Sequence, residues 1–468
     1  MISSRPFFHL LKVTFEAQSA HAIHTGHGDT THDSLIVRDA NGLPTLVGTS
    51  LAGVLRHQYQ KYFGEHKAKD LFGYAQGSEG QNSWLNVTWG LVHNSKNIAK
   101  EGLLSQAELQ DPLLNKLLDQ KPVVRQRVRL TDKGVTENAG KFDITLIPSG
   151  VRYTTFISYW CDGSTESKSQ WQAFVNLLKE NPLRIGKGTR NGYGLFEITA
   201  LYQAEWNLTE QKGREGYSQR TRKRASHQGL HFINLDENQK CNVRASIQLQ
   251  ADSNWRIGGG EQYLANMTAD RIPDLLPMHE MKVTWHNNQA SFSQQFYLLP
   301  ASAIKGALRH RIAFHYNCLT GCFVDDDLAY ETDENPAIKQ LFGFTQDQDS
   351  KAGILAFHDV YLTENPVHDQ IVTHNKIDRY TGGVIRGALF SEVVLWRSRI
   401  AVMVDVINPN IFIDADIKQA LTLALEDLAN GWLPLGASTS RGLGVFKNTE
   451  QQVTWSDKQQ WISAGEEV

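Results

Sequence analysis

Leu183-Arg-Ile-Gly-Lys-Gly-Thr-Arg-Asn-Gly-Tyr-Gly-Leu-Phe196 and Leu433-Pro-Leu-Gly-Ala-Ser-Thr-Ser-Arg-Gly-Leu-Gly-Val-Phe446 align without a gap, 250 positions apart. Two further blocks recur in the same order. Thr49-Ser-Leu-Ala-Gly-Val-Leu-Arg-His57 matches Ser302-Ala-Ile-Lys-Gly-Ala-Leu-Arg-His310 at an offset of 253. Leu71-Phe-Gly-Tyr-Ala-Gln76 matches Leu341-Phe-Gly-Phe-Thr-Gln346 at 270. Ordered blocks at similar offsets mark a duplication, and a repeat of this length sets the architecture before any local pattern does.

Working outward from the blocks, each repeat shows the same order of elements. Phe8 to Phe15 and Val243 to Leu249 alternate like half-buried strands. Leu51, Val54, Leu55 and Tyr62 fall at helical spacing, as do Ile304, Ala307, Leu308 and Ile312. Thr49, Ser50 and Ser302 stand just ahead of those runs and suit N-caps. Strand-like runs follow at Trp84 to Val92 and Ile354 to Tyr361, then at Val151 to Trp160 and Leu389 to Val406. A second helix reads from Ile417, Ala420, Leu421, Ala424, Leu425 and Leu428, with Trp171, Phe174, Leu177 and Leu178 as its counterpart. A last strand follows each glycine-rich turn. The expected fold is α+β: two tandem ferredoxin-like (RRM-like) βαββαβ domains with loop insertions, over residues 1–208 and 239–468. Residues 209–238 between them read as a basic linker, dense in Arg220, Arg222, Lys223 and Arg224. It is either solvated chain or a contact for RNA phosphates.

The 468 residues carry 41% hydrophobic and 21% charged side chains, enough to bury real cores. A net charge of −3 is unlike a free-standing nucleic-acid binder, so any RNA contact must come from local basic patches or from a larger assembly. Four cysteines are too few for a disulfide framework. No apolar run has the length of a bilayer span, and Met-Ile-Ser-Ser-Arg-Pro at the start lacks a signal-peptide pattern. A cytoplasmic protein without a membrane partner is expected.

The glycine-rich turns lie between a helix and a strand, the wrong order for a dinucleotide site. Their glycines permit positive φ and close backbone approach. With Lys187, Arg190 and Arg441 they suit phosphate oxygens, although a tight structural turn explains the glycines equally. In Ser302-Ala-Ile-Lys-Gly-Ala-Leu-Arg309 a helix N-terminus, Lys305 and Arg309 come together, an arrangement that attracts phosphate through free N–H groups and the helix dipole. Ser50 and Arg56 are the counterparts in the first repeat, where Ala52 replaces the lysine.

A helix opening of Ser-x-hydrophobic-Lys-Gly-x-Leu-Arg, followed later by a glycine-rich turn before the last strand, resembles the repeat-associated mysterious protein (RAMP) superfamily. Thr25-Gly-His-Gly-Asp-Thr-Thr-His-Asp-Ser-Leu-Ile-Val-Arg-Asp39, then Leu43-Pro-Thr-Leu-Val-Gly-Thr-Ser-Leu, is similar to the backbone subunits of type III CRISPR RNA-guided effectors. Asn375-Lys-Ile-Asp-Arg-Tyr-Thr-Gly382 resembles a family segment of Ile-Asp-Arg-x-Thr-Gly type, which makes Arg379 a further RNA contact. Val128-Arg-Leu-Thr-Asp132 in the first repeat matches it poorly.

The resemblance implies a subunit lying along a guide RNA, with a loop aspartate cutting paired target RNA with Mg²⁺ or Mn²⁺. Asp33 holds that place in the first repeat. In the diverged loop Gly258–Pro277 the match is Asp274, with Asp270 as rival. An aspartate can serve as base or hold the metal through an oxygen, and the sequence does not separate these roles for Asp33 or Asp274. The implied partners are guide RNA, complementary target RNA, other backbone subunits, a large polymerase-cyclase-like subunit and small helical subunits. The loop holding Asp33 also carries His21, His24, His27 and His32, which read as exposed loop residues, as proton carriers or as ligands for a transition metal. His315, Cys318 and Cys322 share a helix face but lack a fourth zinc ligand. Two alternatives remain at this point: a non-catalytic architectural guide-binding subunit, and a guide-processing endoribonuclease of the same superfamily.

Overall fold

The computed structural model describes residues 5–26, 35–130, 136–180, 182–235, 243–259, 273–323, 334–345, 350–363, 367–407, 413–450, 453–457 and 461. In chain order the first half runs β1 (Phe7–Ala17), α1 (Gly48–Phe63), β2 (Leu85–Val87), a hairpin of β3 (Val123–Leu130) and β4 (Thr136–Leu146), β5 (Arg152–Cys161), α2 (Thr165–Glu180) and β6 (Leu195–Asn207). The connection holds α3 (Gln211–Gln219). The second half runs β7 (Val243–Ala251), a hairpin of β8 (His279–His286) and β9 (Gln289–Leu299), and α4 (Ala301–Thr320). It continues with β10 (Leu355–Phe357), β11 (Asp369–His374), β12 (Phe390–Trp396), β13 (Arg399–Val406), α5 (Ala415–Ala429) and β14 (Phe446–Asn448).

The fold mixes helices with antiparallel sheets. The main sheet of the first half is ordered β6-β1-β5-β2, and that of the second β14-β7-β13-β10. In both, the fourth strand of the unit lies beside the first, then the third, then the second. The helical runs bury the residues their spacing selects: Leu51, Leu55 and Tyr59 on α1, Ile304, Leu308 and Ile312 on α4, and Ile417, Leu421, Leu425 and Leu428 on α5. At about 1.5–3 kcal/mol for each fully buried aliphatic side chain, these faces hold the helices to their sheets.

Three expectations fail on the fold. The N-caps are Val47 and Pro300, with no side-chain cap bond, so Thr49, Ser50 and Ser302 lie inside the helices. Leu389 to Val406 is two strands, because Arg397 takes a left-handed φ of 47° and turns the chain from β12 in one sheet to β13 in another. The connection is a covering element rather than solvated chain. Phe8, on the sheet face away from the helices, packs against Trp160, Trp206 and Tyr217. Arg220 stacks on Tyr217, and Lys12 Nζ donates to Ser226 O at 3.1 Å. Arg224 pairs with Glu101 at 2.7 Å. β1 is therefore buried on both faces, where alternation alone predicts one.

Unlike faces of the two halves meet. From the first half come the glycine-rich turn, Arg184, Arg125 and the end of α1. Arg184 reaches Asp405 and His358, both at 3.3 Å, and Lys61 Nζ donates to Ile407 O. Among the described residues the β8–β9 hairpin has no counterpart in the first half, and it reaches back across the seam. Its Trp285 Nε1 donates to Gly150 O at 2.7 Å, with Arg152 over the indole.

Candidate nucleic-acid interface

Two antiparallel hairpins, one in each half, carry exposed cations beside exposed apolar groups. In the second half the segment between β11 and β12 is folded by Asp378, whose Oδ1 accepts from Tyr380 N, Thr381 N and Thr381 Oγ1 at 2.8–3.1 Å. These donors hold its carboxyl below the usual aspartate value. The turn turns its neighbours outward: Tyr380 is 98% exposed, with Ile377, Val384 and Leu389 also exposed. Lys376, Arg379 and Arg386 stand exposed among them. The β3–β4 hairpin repeats the theme with exposed Val128 and Phe142, and Arg127 over the Phe142 ring. Cations neutralise phosphates while exposed aromatic and apolar groups stack on or wedge between bases. Composition does not reveal Lys376, Tyr380 and Arg386; alternation of cations and apolar residues around Asp378 is the signal that finds them.

The aspartate loops enter and leave in matching register. Thr25 N donates to Leu35 O and Val37 N to Ile23 O; Gly259 N donates to Leu276 O and Met278 N to Ile257 O. Leu35 and Leu276 are thus equivalent, and two residues before each stand Asp33 and Asp274. Asp33, Asp270, His27 and His32 lie outside the described residues. Asp274 is exposed, and its Oδ2 accepts from Ser391 N at 2.7 Å and Ser391 Oγ at 3.2 Å, which ties its loop to the base of the second hairpin. Beside it Glu392, fully buried, pairs with Arg256 at 2.8 Å and His374 at 2.7 Å. His24 meets Thr145 O at 3.3 Å, and burial together with Lys187 lowers its pKa despite that contact. His21 is buried against the Tyr153 hydroxyl at 2.9 Å. His315 pairs with Asp427 at 2.7 Å.

Both glycine-rich turns use their backbone N–H groups internally. Lys187 N and Gly194 N donate to Ala22 O and Ala20 O; Ala437 N and Gly444 N donate to Arg256 O and Asn254 O. Gly186 and Gly436, with φ of 96° and 107°, lie so close to Ala22 O and Arg256 O that a Cβ would overlap them. Lys187 and Arg441 are exposed on these turns. Arg190 instead crosses the seam to Gly353 O at 2.8 Å, and burial and then Arg184 push its pKa down to about 10.

The N-terminus of α4 is also occupied. Ala301 N donates to Asp359 Oδ1 at 2.8 Å, so an aspartate from the strand end beside it does what Ser302 was expected to do. Lys305 donates to Asn191 Oδ1 at 2.9 Å, across the seam. Burial, followed by the like charges of Arg127, Arg309 and Arg190, brings Lys305 down to about 8. Four cations from both halves therefore share one neighbourhood. Ser50, Arg56, Ser302 and Arg309 are half-buried on their helices, and Arg379 is exposed on the second hairpin. Among the described residues no three His, Cys, Asp or Glu side chains gather as a metal cage, and no helix is long and apolar enough to cross a membrane.

No curated protein matches the chain. Among solved structures, a type III-B Cmr-beta chain in the apo state is similar over 40% of this chain and 96% of its own, at 13% identity and a TM-score of 0.31. A chain of Cmr-beta bound to cognate target RNA is similar over 42% of this chain and 60% of its own, at 14% identity and a TM-score of 0.29. The profile of the RAMP superfamily matches residues 15–197 and again 248–447. Matched once in each half, the chain belongs to the RAMP superfamily.

Proposed function

We propose that this chain is a guide-RNA-binding backbone subunit of a type III CRISPR effector, made of two fused RAMP units, which cuts guide-paired target RNA at a loop aspartate in each. The units are residues 1–208 and 239–468, joined by 209–238. Each is a ferredoxin-like split βαββαβ unit, a reading supported by the shared strand order. The implied setting is the cytoplasm, with guide RNA, target RNA and the other effector subunits as partners.

The observation that carries the RNA-binding part is the cluster of Lys305, Arg309, Arg190 and Arg127 at the seam. The local positive charge they create would favour a phosphate backbone running across both units. Lys305→Ala is expected to weaken RNA binding regardless of sequence and to lower the salt slope by about one. A lysine lowered to about 8 loses its proton as pH rises through that value, and bound phosphate would favour the protonated form. RNA affinity should therefore fall as pH rises through 8, and the Lys305→Ala variant should lose that dependence. Fluorescence anisotropy across pH and salt reads both. Tyr380→Ala is expected to weaken binding by roughly 1–3 kcal/mol through lost base stacking, with an unchanged salt slope.

Asp274 fits a divalent ion held jointly with RNA. One carboxylate oxygen, Oδ1, has no protein partner among the described residues, and Mg²⁺ or Mn²⁺ takes few protein ligands where phosphate oxygens complete its shell. With Asp33 in the equivalent place, either aspartate would hold such an ion, which supplies neutralisation of charge on the scissile phosphate. The architectural alternative draws on the Ser391 bonds, which already give Asp274 a structural task. The experiment is reconstitution with guide and end-labelled target RNA. Two cuts that depend on this chain support the reading, and retention of guide without any such cut favours the architectural one.

A further inference from the structure

The connection between the halves carries charge that neither the seam nor the packing of the sheet uses. Residues 211–232 hold six Lys and Arg against a single acidic residue, in a chain whose net charge is −3. Arg214 donates to Leu208 O at 2.9 Å and Thr209 O at 2.8 Å, Arg220 to Tyr217 O at 2.6 Å, and Arg224 to Glu101 at 2.7 Å. Arg222 and Lys223 are exposed between these anchors, and their side chains meet no partner among the described residues. The backbone that bears them is fixed. Buried Thr221 accepts from Lys223 N at 3.1 Å, and Arg224 N donates to Glu101 at 2.9 Å. Ser226 N closes a turn onto Lys223 O at 3.0 Å, and Ser226 O accepts from Lys12. Only the two side chains then remain to be ordered when a ligand binds.

Aromatic rings adjoin this turn. The exposed His227 ring lies 4.2 Å from that of Tyr202, tilted by 37°. Burial and then the charge of Lys12 lower the pKa of His227, so at neutral pH it offers a ring rather than a charge. The short strand His231–Phe232 pairs with β6 at Tyr202 and Gln203 and sets the Phe232 ring 5.4 Å from Tyr202. Ile233 and Leu235 pack against the core beyond it, while Phe232 stays 59% exposed. Cations beside exposed rings fit single-stranded nucleic acid, whose phosphates and bases meet both kinds of group; an acidic protein surface would engage the cations alone.

This patch lies apart from the seam. Tyr202 stands seven residues along β6 from Leu195, where the strand leaves the glycine-rich turn, about 23 Å at the rise of a strand. We propose that the connection forms a second RNA-binding surface, in which Arg222 and Lys223 hold the phosphates of a single-stranded segment while Phe232 and His227 stack on its bases. It takes a different stretch of RNA from the one assigned to the seam, and it does not depend on that assignment or on cleavage.

The test is fluorescence anisotropy of the full chain, freed of nucleic acid, with a labelled single-stranded oligouridine of roughly eight nucleotides. Lys305→Ala serves as the background, so that the seam contributes least. Adding Arg222→Ala with Lys223→Ala should weaken binding at low salt by at least ~10-fold and reduce the salt slope by about 1.4, as expected for two phosphates of a single strand. Phe232→Ala should weaken it by roughly 10-fold and leave the slope unchanged. Affinity and slope untouched by the Arg222 and Lys223 changes overturn the proposal, as does binding indifferent to Phe232→Ala. RNA binding retained while an acidic protein partner is lost by the same variants also overturns it. If binding falls with Lys305→Ala but not with the connection variants, the seam stands as an RNA surface and this one does not.

Discussion

Asp33→Ala is expected to abolish one cut in the paired target RNA, and Asp274→Asn the other, each slowed by roughly 10²–10⁴-fold while guide binding is unchanged. The two positions are equivalent by the backbone bonds that bracket them, through Leu35 in one loop and Leu276 in the other. Cutting RNA requires a 2′-hydroxyl made nucleophilic and charge neutralised at phosphorus, and a carboxylate serves either need. At position 274 asparagine is the informative change. Its Oδ1 can still accept from Ser391 N and Oγ, so the loop stays tied to the second hairpin while the negative charge is lost. Mapping the products of end-labelled target by gel separates the outcomes. Loss of one cut per variant assigns the aspartates. A full pattern from Asp274→Asn would leave that residue as an anchor alone, and the second unit as architectural.

Arg125→Met should destabilise the protein by about 3–5 kcal/mol, the largest loss of stability expected from one substitution here. Arg125 is 1% exposed and sits at the centre of the seam. Its Nε donates to Glu280 at 2.7 Å and one terminal nitrogen to Asp359 at 2.8 Å, while the Tyr361 hydroxyl donates to Glu280 at 2.7 Å. Burial opposes its charge, but Asp359 and Glu280 outweigh that and hold its pKa well above the usual value. Removing the guanidinium leaves two buried carboxylates without their main counterion, and disturbs the aspartate that caps α4. The urea midpoint should fall sharply for Arg125→Met, and the double change with Glu280→Gln should cost less than the sum of the two single changes. Additive effects would show that the cluster is not a coupled unit.

The duplication was legible in the sequence because three blocks keep their order and spacing, and the helix faces because Leu51, Leu55, Ile304 and Leu308 recur at helical intervals. What escaped depends on contacts distant in the chain. Asp359 caps α4 from 58 positions away, a partner no local capping pattern predicts. The break at Arg397 carries no glycine to announce it. Among the described residues the β8–β9 hairpin has no repeat counterpart to compare with, and its partners Gly150 and Ser149 belong to the other half. The residues after β6 read as linker because their cations are dense, yet Arg220 and Arg224 are spent on Tyr217 and Glu101. Lys305 was expected beside a free helix end, but Asp359 occupies that end and Lys305 shares its neighbourhood with cations from both halves.

Cross-linking of guide RNA in the assembled complex, with the linked peptides and nucleotides both identified, tests the central claim most directly. Two units laid along one guide predict links to the β3–β4 hairpin and to the segment between β11 and β12, at two guide positions separated by a constant number of nucleotides. Links confined to one half, or a complex in which this chain touches no guide RNA, would contradict it.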